Sequence, residues 1–267
     1  MPTPLIHRRI SAARYPARAV ALCATALLGT SALWAQERPA QPIASSSWSV
    51  GAFASVETSP YRGADNDQRL LPVLVFENSV VRLAGPVVDL KLPSTGAVSY
   101  ALRARYVLDG YKASDSAALT GMAERKGGVW LGTKADWRLP LGQLSAEWMA
   151  DAADHSGGQQ LKLTAEKPMR WGSIIVAPRV ALLWQDRDYV NYYFGVRGSE
   201  ALPGRAAYAA PSGTSTELGL RAIYGFSAQQ SVFIDVQATS LASAITKSPL
   251  VDRQWISGLR LGYAYRF

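Results

Sequence analysis

The chain has 267 residues, of which 48% are hydrophobic and 18% charged. Its mean hydropathy is close to zero, which excludes both a disordered chain and an ordinary helical inner-membrane protein, since the first is far less apolar and the second far more so. The formal charge of +8 makes nucleic-acid binding a function to consider. We expect no nucleic-acid partner, however, because the basic side chains are spread over alternate positions instead of gathered in one patch.

The first 35 residues have the features of a secretory signal peptide. A basic start with Arg8, Arg9, Arg14 and Arg18 precedes an apolar run from Ala19 to Leu33, and small residues surround a cleavage point after Ala35. The run is shorter than the ~20 residues of a transmembrane helix, so an uncleaved anchor is the weaker alternative. Cleavage removes four of the 28 basic residues and the only cysteine, Cys23. We therefore expect an exported chain without disulfides.

The remaining chain divides into a mobile leader (residues 36–47) and a long alternating region (residues 48–267). The last segment shows the alternation best. Trp255, Ser257, Leu259, Leu261, Tyr263, Tyr265 and Phe267 fall on one face, and Gly258, Arg260, Gly262, Ala264 and Arg266 fall on the other. A period of two indicates a β-strand. An apolar face opposite a face of arginine and glycine suits a strand between lipid and a polar lumen.

Similar alternation recurs along the chain. It is found at 98–106, 129–139, 144–151, 161–166, 217–226 and 232–238. Segments of about ten residues match the length of a tilted membrane strand, and charged side chains recur on the polar face. The sequence therefore predicts an all-β fold, an antiparallel transmembrane β-barrel of the outer-membrane type, surrounded by outer-membrane lipid. A secreted β-sandwich is the weaker alternative, since it also has one buried face.

The chain ends on alternating aromatic residues. Tyr263, Tyr265 and Phe267 form the C-terminal pattern by which the barrel-assembly machinery recognises outer-membrane barrels, so we expect that machinery to be a partner. The pattern gives eleven segments, whereas bacterial barrels have even numbers of strands. We predict twelve strands, with ten as the alternative, because one strand between Trp48 and Lys91 is split or one segment lies outside the wall.

Six arginines fall on the predicted inner face: Arg103, Arg105, Arg138, Arg179, Arg221 and Arg260. They have two interpretations. An arginine-rich lumen favours anions in a pore. Alternatively, the arginines pair with the carboxylates of facing strands, which are Asp136, Glu147, Glu166, Glu217 and Asp235, and fill a narrow barrel. We favour pairing, because both signs of charge are present.

A cluster of aromatic and acidic residues opens the longest loop: Asp186, Asp188, Tyr189, Tyr192, Tyr193 and Phe194. This cluster is the candidate loop or partner site. It is interpreted either as an aromatic binding platform or plug, or as an interfacial girdle with a loop-anchoring role. We favour the second, structural interpretation.

Catalytic and metal sites are not indicated. The only histidine after the signal peptide, His155, lies in the loop Asp154–Gly158, where adjacent side chains diverge and cannot form a catalytic triad. One histidine and scattered carboxylates provide no metal-ligand spacing. We therefore predict a protein that is not an enzyme and holds no cofactor.

Four motifs in order resemble the MipA/OmpV family of outer-membrane proteins. These are Ser59–Asp65 followed by Arg69–Pro72, Leu119–Met122, Asp186–Val196, and the ending from Ser248–Val251 through Tyr265–Phe267. The resemblance covers Trp48–Phe267. Glu124-Arg125-Lys126 departs from it, because members tend to be acidic there.

The resemblance implies outer-membrane localisation and a scaffold or interaction role at the envelope of a Gram-negative cell. The family's namesake joins a lytic transglycosylase to a peptidoglycan synthase, so these two enzymes are the implied partners. A narrow solute channel and a surface adhesin are the alternatives, since one fold can host several functions.

Overall fold

The computed structural model describes residues 46–267. The predicted signal peptide (1–35) and residues 36–45 of the leader lie outside this range. The first strand begins at Ser47, which is the last residue assigned to the leader. No helix within residues 46–267 is long and apolar enough to cross a membrane.

Thirteen strand segments follow one another in antiparallel pairs. They are β1 (Ser47–Glu57), β2 (Asp67–Glu77), β3 (Val81–Ala84), β4 (Val87–Thr95), β5 (Val98–Val107), β6 (Gly128–Leu139), β7 (Gly142–Asp151), β8 (Gln159–Glu166), β9 (Met169–Trp171), β10 (Ile174–Gln185), β11 (Gly213–Gly225), β12 (Gln230–Ser240) and β13 (Trp255–Arg266). Both β8 and β9 pair with β10, so they form one wall strand, interrupted at Lys167–Pro168. Pairing of β10 with β11 closes the sheet. The result is a closed barrel of twelve strands, which confirms the predicted fold and strand number.

Side chains alternate between the two surfaces of the wall, as the sequence pattern predicts. In β13, Leu259, Leu261 and Tyr263 are exposed on the outer surface, whereas Ile256 and Arg260 are buried inside. The same alternation holds in β6, where Leu131 and Trp137 point outward and Trp130 inward. The apolar outer surface is the one that faces lipid in a membrane barrel.

The two ends of the barrel carry connections of different length. Long loops at 58–66, 108–127, 152–158, 186–212 and 241–254 lie at one end, and short turns lie at the other. The chain terminus is also at the short-turn end, where Phe267 N donates to Trp48 O at 2.9 Å. Short turns identify the periplasmic side of an outer-membrane barrel, and long loops the extracellular side.

One hairpin is much shorter than the rest and explains the odd count from the sequence. Strand β3 has four residues and pairs with only Val75–Glu77 of β2. It turns back into β4 at Gly85–Pro86, where Gly85 has a φ of 55°, a value that favours glycine. The hairpin therefore ends about halfway up the wall, and the region between Trp48 and Lys91 holds four strands of unequal length.

Two short helices and the long loops close the extracellular end. Helix α1 (Arg187–Phe194) and helix α2 (Ser243–Thr246) belong to these loops. Their buried side chains join loop and strand residues in one hydrophobic cluster, which includes Tyr61, Tyr111, Leu119, Trp130, Met149, Tyr189, Phe194, Ile245 and Leu250. We call this assembly the extracellular cap. The main hydrophobic core thus lies at the mouth of the barrel.

Candidate functional site

The first of two ionic clusters in the lumen lies on the inner faces of β3–β7. The Arg103 guanidinium donates to both oxygens of Asp89, each at 2.7 Å. Glu147 accepts hydrogen bonds from Arg103 and also from Arg105, the latter at 2.7 Å. All four side chains are buried. Bidentate contacts between arginine and carboxylate are geometrically specific, so this cluster fixes β4, β5 and β7 relative to one another.

The second ionic cluster lies opposite, on β8 and β10–β13, and centres on Asp235. This carboxylate is 0% exposed and accepts from Arg179 Nη1 and Arg221 Nε, both at 2.8 Å. Arg179 Nε also pairs with Glu217 at 3.1 Å, and Lys162 Nζ contacts the same carboxylate at 2.8 Å. Charges that are buried this deeply are stable only with partners, and here each one has them.

The predicted lumen arginines divide into two groups. Arg103, Arg105, Arg179, Arg221 and Arg260 are buried within the barrel, and Arg260 pairs with Glu57 at the upper end of β1. Arg138 is different, because it lies exposed at the periplasmic end of β6 and belongs to neither cluster.

The partners expected for the arginines are placed in part as predicted. Glu147, Glu217 and Asp235 contact arginines, as the pairing interpretation requires. Asp136 pairs instead with Lys134 at 2.6 Å and accepts from Ser145 Oγ, also at 2.6 Å.

The aromatic cluster of the longest loop forms helix α1. Asp186 caps the helix, since its carboxylate accepts from Tyr189 N at 2.9 Å. Tyr189, Tyr193 and Phe194 are each at most 1% exposed, whereas Asp188 is exposed and Tyr192 half-buried. Because the rings point into the cap, they pack as a core and do not offer an open aromatic platform.

Ring contacts and polar contacts tie α1 to the wall. The ring of Tyr189 lies 5.8 Å from that of Trp130 on β6, in an edge-to-face arrangement that favours the pair. Tyr61 stacks on Phe194 at 5.7 Å and donates its hydroxyl to Tyr193 O at 3.1 Å. The loop between β1 and β2 is therefore locked against α1.

A buried ion pair that the sequence pattern did not single out joins two long loops. Arg125 Nη2 lies 2.9 Å from both carboxylate oxygens of Glu200. Its Nε donates to Tyr192 O at 2.6 Å, and the guanidinium lies over the rings of Tyr111 and Tyr192 at 5.7 and 5.6 Å. Burial alone raises the pKa of Glu200, but backbone hydrogen bonds and the Arg125 guanidinium outweigh it and hold the pKa below its usual value.

The base of the cap contains a carboxyl group in an apolar setting. Asp109 Oδ2 accepts from the Tyr189 hydroxyl at 3.0 Å, and Oδ1 has no hydrogen-bond partner among residues 46–267. Burial raises the pKa of Asp109 to about 7, although the Tyr189 hydrogen bond and the Arg105 charge act to lower it. The two protonation states of this carboxyl are therefore close in free energy at neutral pH.

The periplasmic rim has an exposed apolar feature beside the β6–β7 turn. Leu141 is 79% exposed and lies at a cleft of about 460 Å³ whose lining also includes Leu139, Leu144, Lys167 and Pro178. Arg138 is exposed immediately before this turn. The terminal aromatics Tyr263, Tyr265 and Phe267 lie exposed on the lipid-facing side of the same rim. Their role as the assembly signal stays a prediction.

Comparisons with known proteins agree on one family. A family model described as MltA-interacting protein MipA matches residues 50–267. OmpV of Vibrio cholerae, an outer membrane protein, is 31% identical over 157 residues, which is 58% of this chain and 61% of OmpV. That match thus spans less than two thirds of OmpV. The MltA-interacting protein of Escherichia coli is 26% identical over 223 residues, 82% of this chain and 90% of that one.

Among solved structures, one match is OmpT, an outer membrane protein of Vibrio cholerae. The match covers 87% of this chain and 100% of OmpT, with a TM-score of 0.37 and 6% sequence identity.

Proposed function

The chain belongs to the MipA family of outer-membrane proteins, and we propose on that premise that it is an interaction protein whose periplasmic rim binds a murein-processing enzyme. The partner class follows from the name of the Escherichia coli relative, MltA-interacting protein. In the fuller form of the proposal, the protein joins a lytic transglycosylase to a peptidoglycan synthase.

The observation that carries the proposal is that two ionic clusters and the extracellular cap close the lumen. Ionic clusters bury Arg103 and Glu147 on one side of the lumen and Arg179 and Asp235 on the other. The extracellular cap packs its rings over the same space. A barrel whose lumen is closed in this way presents its outer surfaces, and not a pore, to other molecules. This arrangement favours an interaction protein over a solute channel.

The periplasmic rim is the surface on which a murein enzyme is best placed to bind. Peptidoglycan lies on this side of the membrane, and the β6–β7 turn here combines the exposed Leu141 with the exposed Arg138. Arginine is among the side chains that most often anchor protein interfaces, and here it stands beside an exposed apolar side chain.

A pair of matched double variants tests the proposal. We expect Arg138→Glu with Leu141→Asp to weaken capture of a purified lytic transglycosylase by about tenfold or more, the scale of a lost interface anchor. The matched control is Arg197→Glu with Leu202→Asp, which changes an exposed arginine and an exposed leucine at the extracellular end. On a detergent gel, a folded barrel that has not been boiled migrates differently from the boiled, unfolded chain. Both double variants should keep this difference. Equal capture by both double variants and the unmodified protein would refute a binding site at this turn.

A further inference from the structure

The barrel wall has a gap on the extracellular side of the short β3–β4 hairpin. Strand β2 pairs with β3 only up to Val75, and the last bond across this seam is Gly85 N to Leu74 O at 3.1 Å. On the far side, β5 continues past the hairpin, where Tyr106 N bonds Pro86 O. No strand pairing among residues 46–267 covers the edge of β2 from Asp67 to Val73. We call the space between this edge, the Gly85–Pro86 turn and Tyr106–Leu108 the β2 notch.

The backbone along this edge shows that it is open. Because Leu74 O bonds toward β3 and alternate residues point the same way, the backbone groups of Gln68, Leu70 and Pro72 also point into the notch. Pro72 has no N–H, and proline within sheets is confined to unpaired edges. Within residues 46–267, the N–H groups of Gln68 and Leu70 have no partner in a strand ladder. The side chain of Leu70 is 76% exposed.

An apolar row crosses the inner wall from Leu71 at the notch to Ile175 at the periplasmic end of β10. Six residues on adjacent strands face one another in register: Ile175, Ile223, Phe233, Gly262, Phe53 and Leu71. The lumen of a membrane barrel is normally polar. The inner-face row two residues closer to the extracellular end is indeed ionic, with Arg221, Asp235 and Arg260. Leu71 ends the apolar row inside the unpaired part of β2 and remains 36% exposed, although it points inward. The apolar row and the notch are therefore continuous.

The notch is polar at its extracellular end and apolar near mid-wall, which is the order of headgroup and acyl chain in an outer-leaflet lipid. Its extracellular end carries the ion pair of Asp67 and Arg69 (2.6 Å) and the open N–H groups of Gln68 and Leu70. Its lower end, near mid-wall, carries Leu71 and Val73. An open sheet edge cannot face hydrocarbon alone, because an unpaired backbone group has no water there to bond with. The upper groups therefore require a hydrogen-bonding occupant, and the lower ones an apolar occupant.

We propose that the β2 notch is a lateral binding site for an outer-leaflet lipid, with the headgroup at Gln68–Leu70 and one acyl chain on the apolar row inside the barrel. The bilayer that surrounds the wall supplies this occupant directly. The site is separate from the periplasmic rim and does not depend on the identity of a murein enzyme.

Photo-crosslinking from the bilayer tests the site. The full barrel is reconstituted in phosphatidylcholine vesicles containing a phosphatidylcholine with a diazirine at mid-chain, irradiated, and mapped by mass spectrometry. We expect labels on the inward-facing Phe53, Leu71 and Phe233 in addition to outward-facing leucines. Labels confined to outward-facing side chains would overturn the proposal.

Neighbouring substitutions on the two faces of β2 separate lipid binding from general damage. Leu71→Asn places an amide on the apolar row and should remove most labelling of Phe53 and Phe233. Leu70→Asn, one residue away on the outer face, should leave the inner labels in place. Equal loss in both variants, with the folded gel shift retained, would contradict the role of the row.

A second copy of the chain is the competing occupant of the β2 edge. Protein carrying Leu70→Cys and Cys23→Ser is oxidised in the same vesicles. We expect monomers, because a lipid occupies the edge. Efficient disulfide dimers would place a second β2 strand there and overturn the lipid proposal.

Discussion

Replacing Asp235 by alanine is expected to destabilise the barrel by about 3–5 kcal/mol, the cost of breaking a buried ion pair. Asp235 is fully buried and accepts from Arg179 and Arg221. Alanine leaves these two guanidinium groups facing each other in the lumen without their shared carboxylate. The loss exceeds that of an exposed ion pair, which contributes at most about 1 kcal/mol.

Urea unfolding in vesicles measures this loss, with the heat-modifiable gel band reporting the folded fraction. Asp252→Ala is the control, since Asp252 is an exposed loop aspartate and its removal should leave the unfolding midpoint unchanged. Asp235→Asn keeps the shape of the side chain and one acceptor, so we expect it to lower the unfolding midpoint less than alanine does. It also provides the measurement if the alanine variant fails to assemble. A midpoint for Asp235→Asn equal to that of the unmodified protein would mean that the ionic cluster does not hold the barrel together.

Replacing Arg125 by alanine is expected to open the extracellular cap while the wall stays intact. Glu200 then remains buried without its guanidinium partner, and the contacts of Arg125 with Tyr192 O and two aromatic rings are lost. A buried ion pair broken in this way costs about 3–5 kcal/mol. Because loops open locally and independently of the wall, the loss appears as exposure of the cap.

Limited trypsin digestion measures the opening through cleavage after Arg187 and Arg197. Both side chains are exposed and lie in the loop that carries Glu200. We expect cleavage of the Arg125→Ala cap to rise by about a hundredfold, the equivalent of roughly 3 kcal/mol. Lys126→Ala is the matched control, because this neighbouring basic side chain is exposed. Unchanged protection of the Arg125→Ala cap would show that the ring cluster alone holds the loops.

The wall was predictable from the sequence because a strand between lipid and lumen has to alternate. Leu259 and Arg260 are neighbours in one strand and so point to opposite sides of the wall. One faces lipid and is apolar, and the other faces the lumen and is charged. The same alternation places Arg179 and Arg221 in the lumen with carboxylates on facing strands. Register between strands follows from short turns, so the pairing of Asp235 with Arg221 was within reach of the sequence.

The cap and the notch were beyond sequence reasoning for physical reasons. Arg125 and Glu200 lie on different long loops, and no periodicity or turn length fixes how such loops meet. The burial of Tyr189 and Phe194 depends on that same meeting, so the sequence allowed both a platform and an anchoring role. The β3–β4 hairpin left a signal in Gly85-Pro86, a turn dipeptide, but the turn does not show how far up the wall the hairpin reaches.

We propose that this barrel acts through its surfaces because the ionic clusters and the extracellular cap close its lumen to solutes. Single-channel recording of the folded, unmodified protein in planar bilayers tests this most directly. The buried ionic clusters and the packed cap predict a silent membrane under conditions in which a control porin conducts. Steady conductance, with an anion preference reduced by Arg103→Glu or Arg221→Glu, would contradict the claim and make the protein a channel.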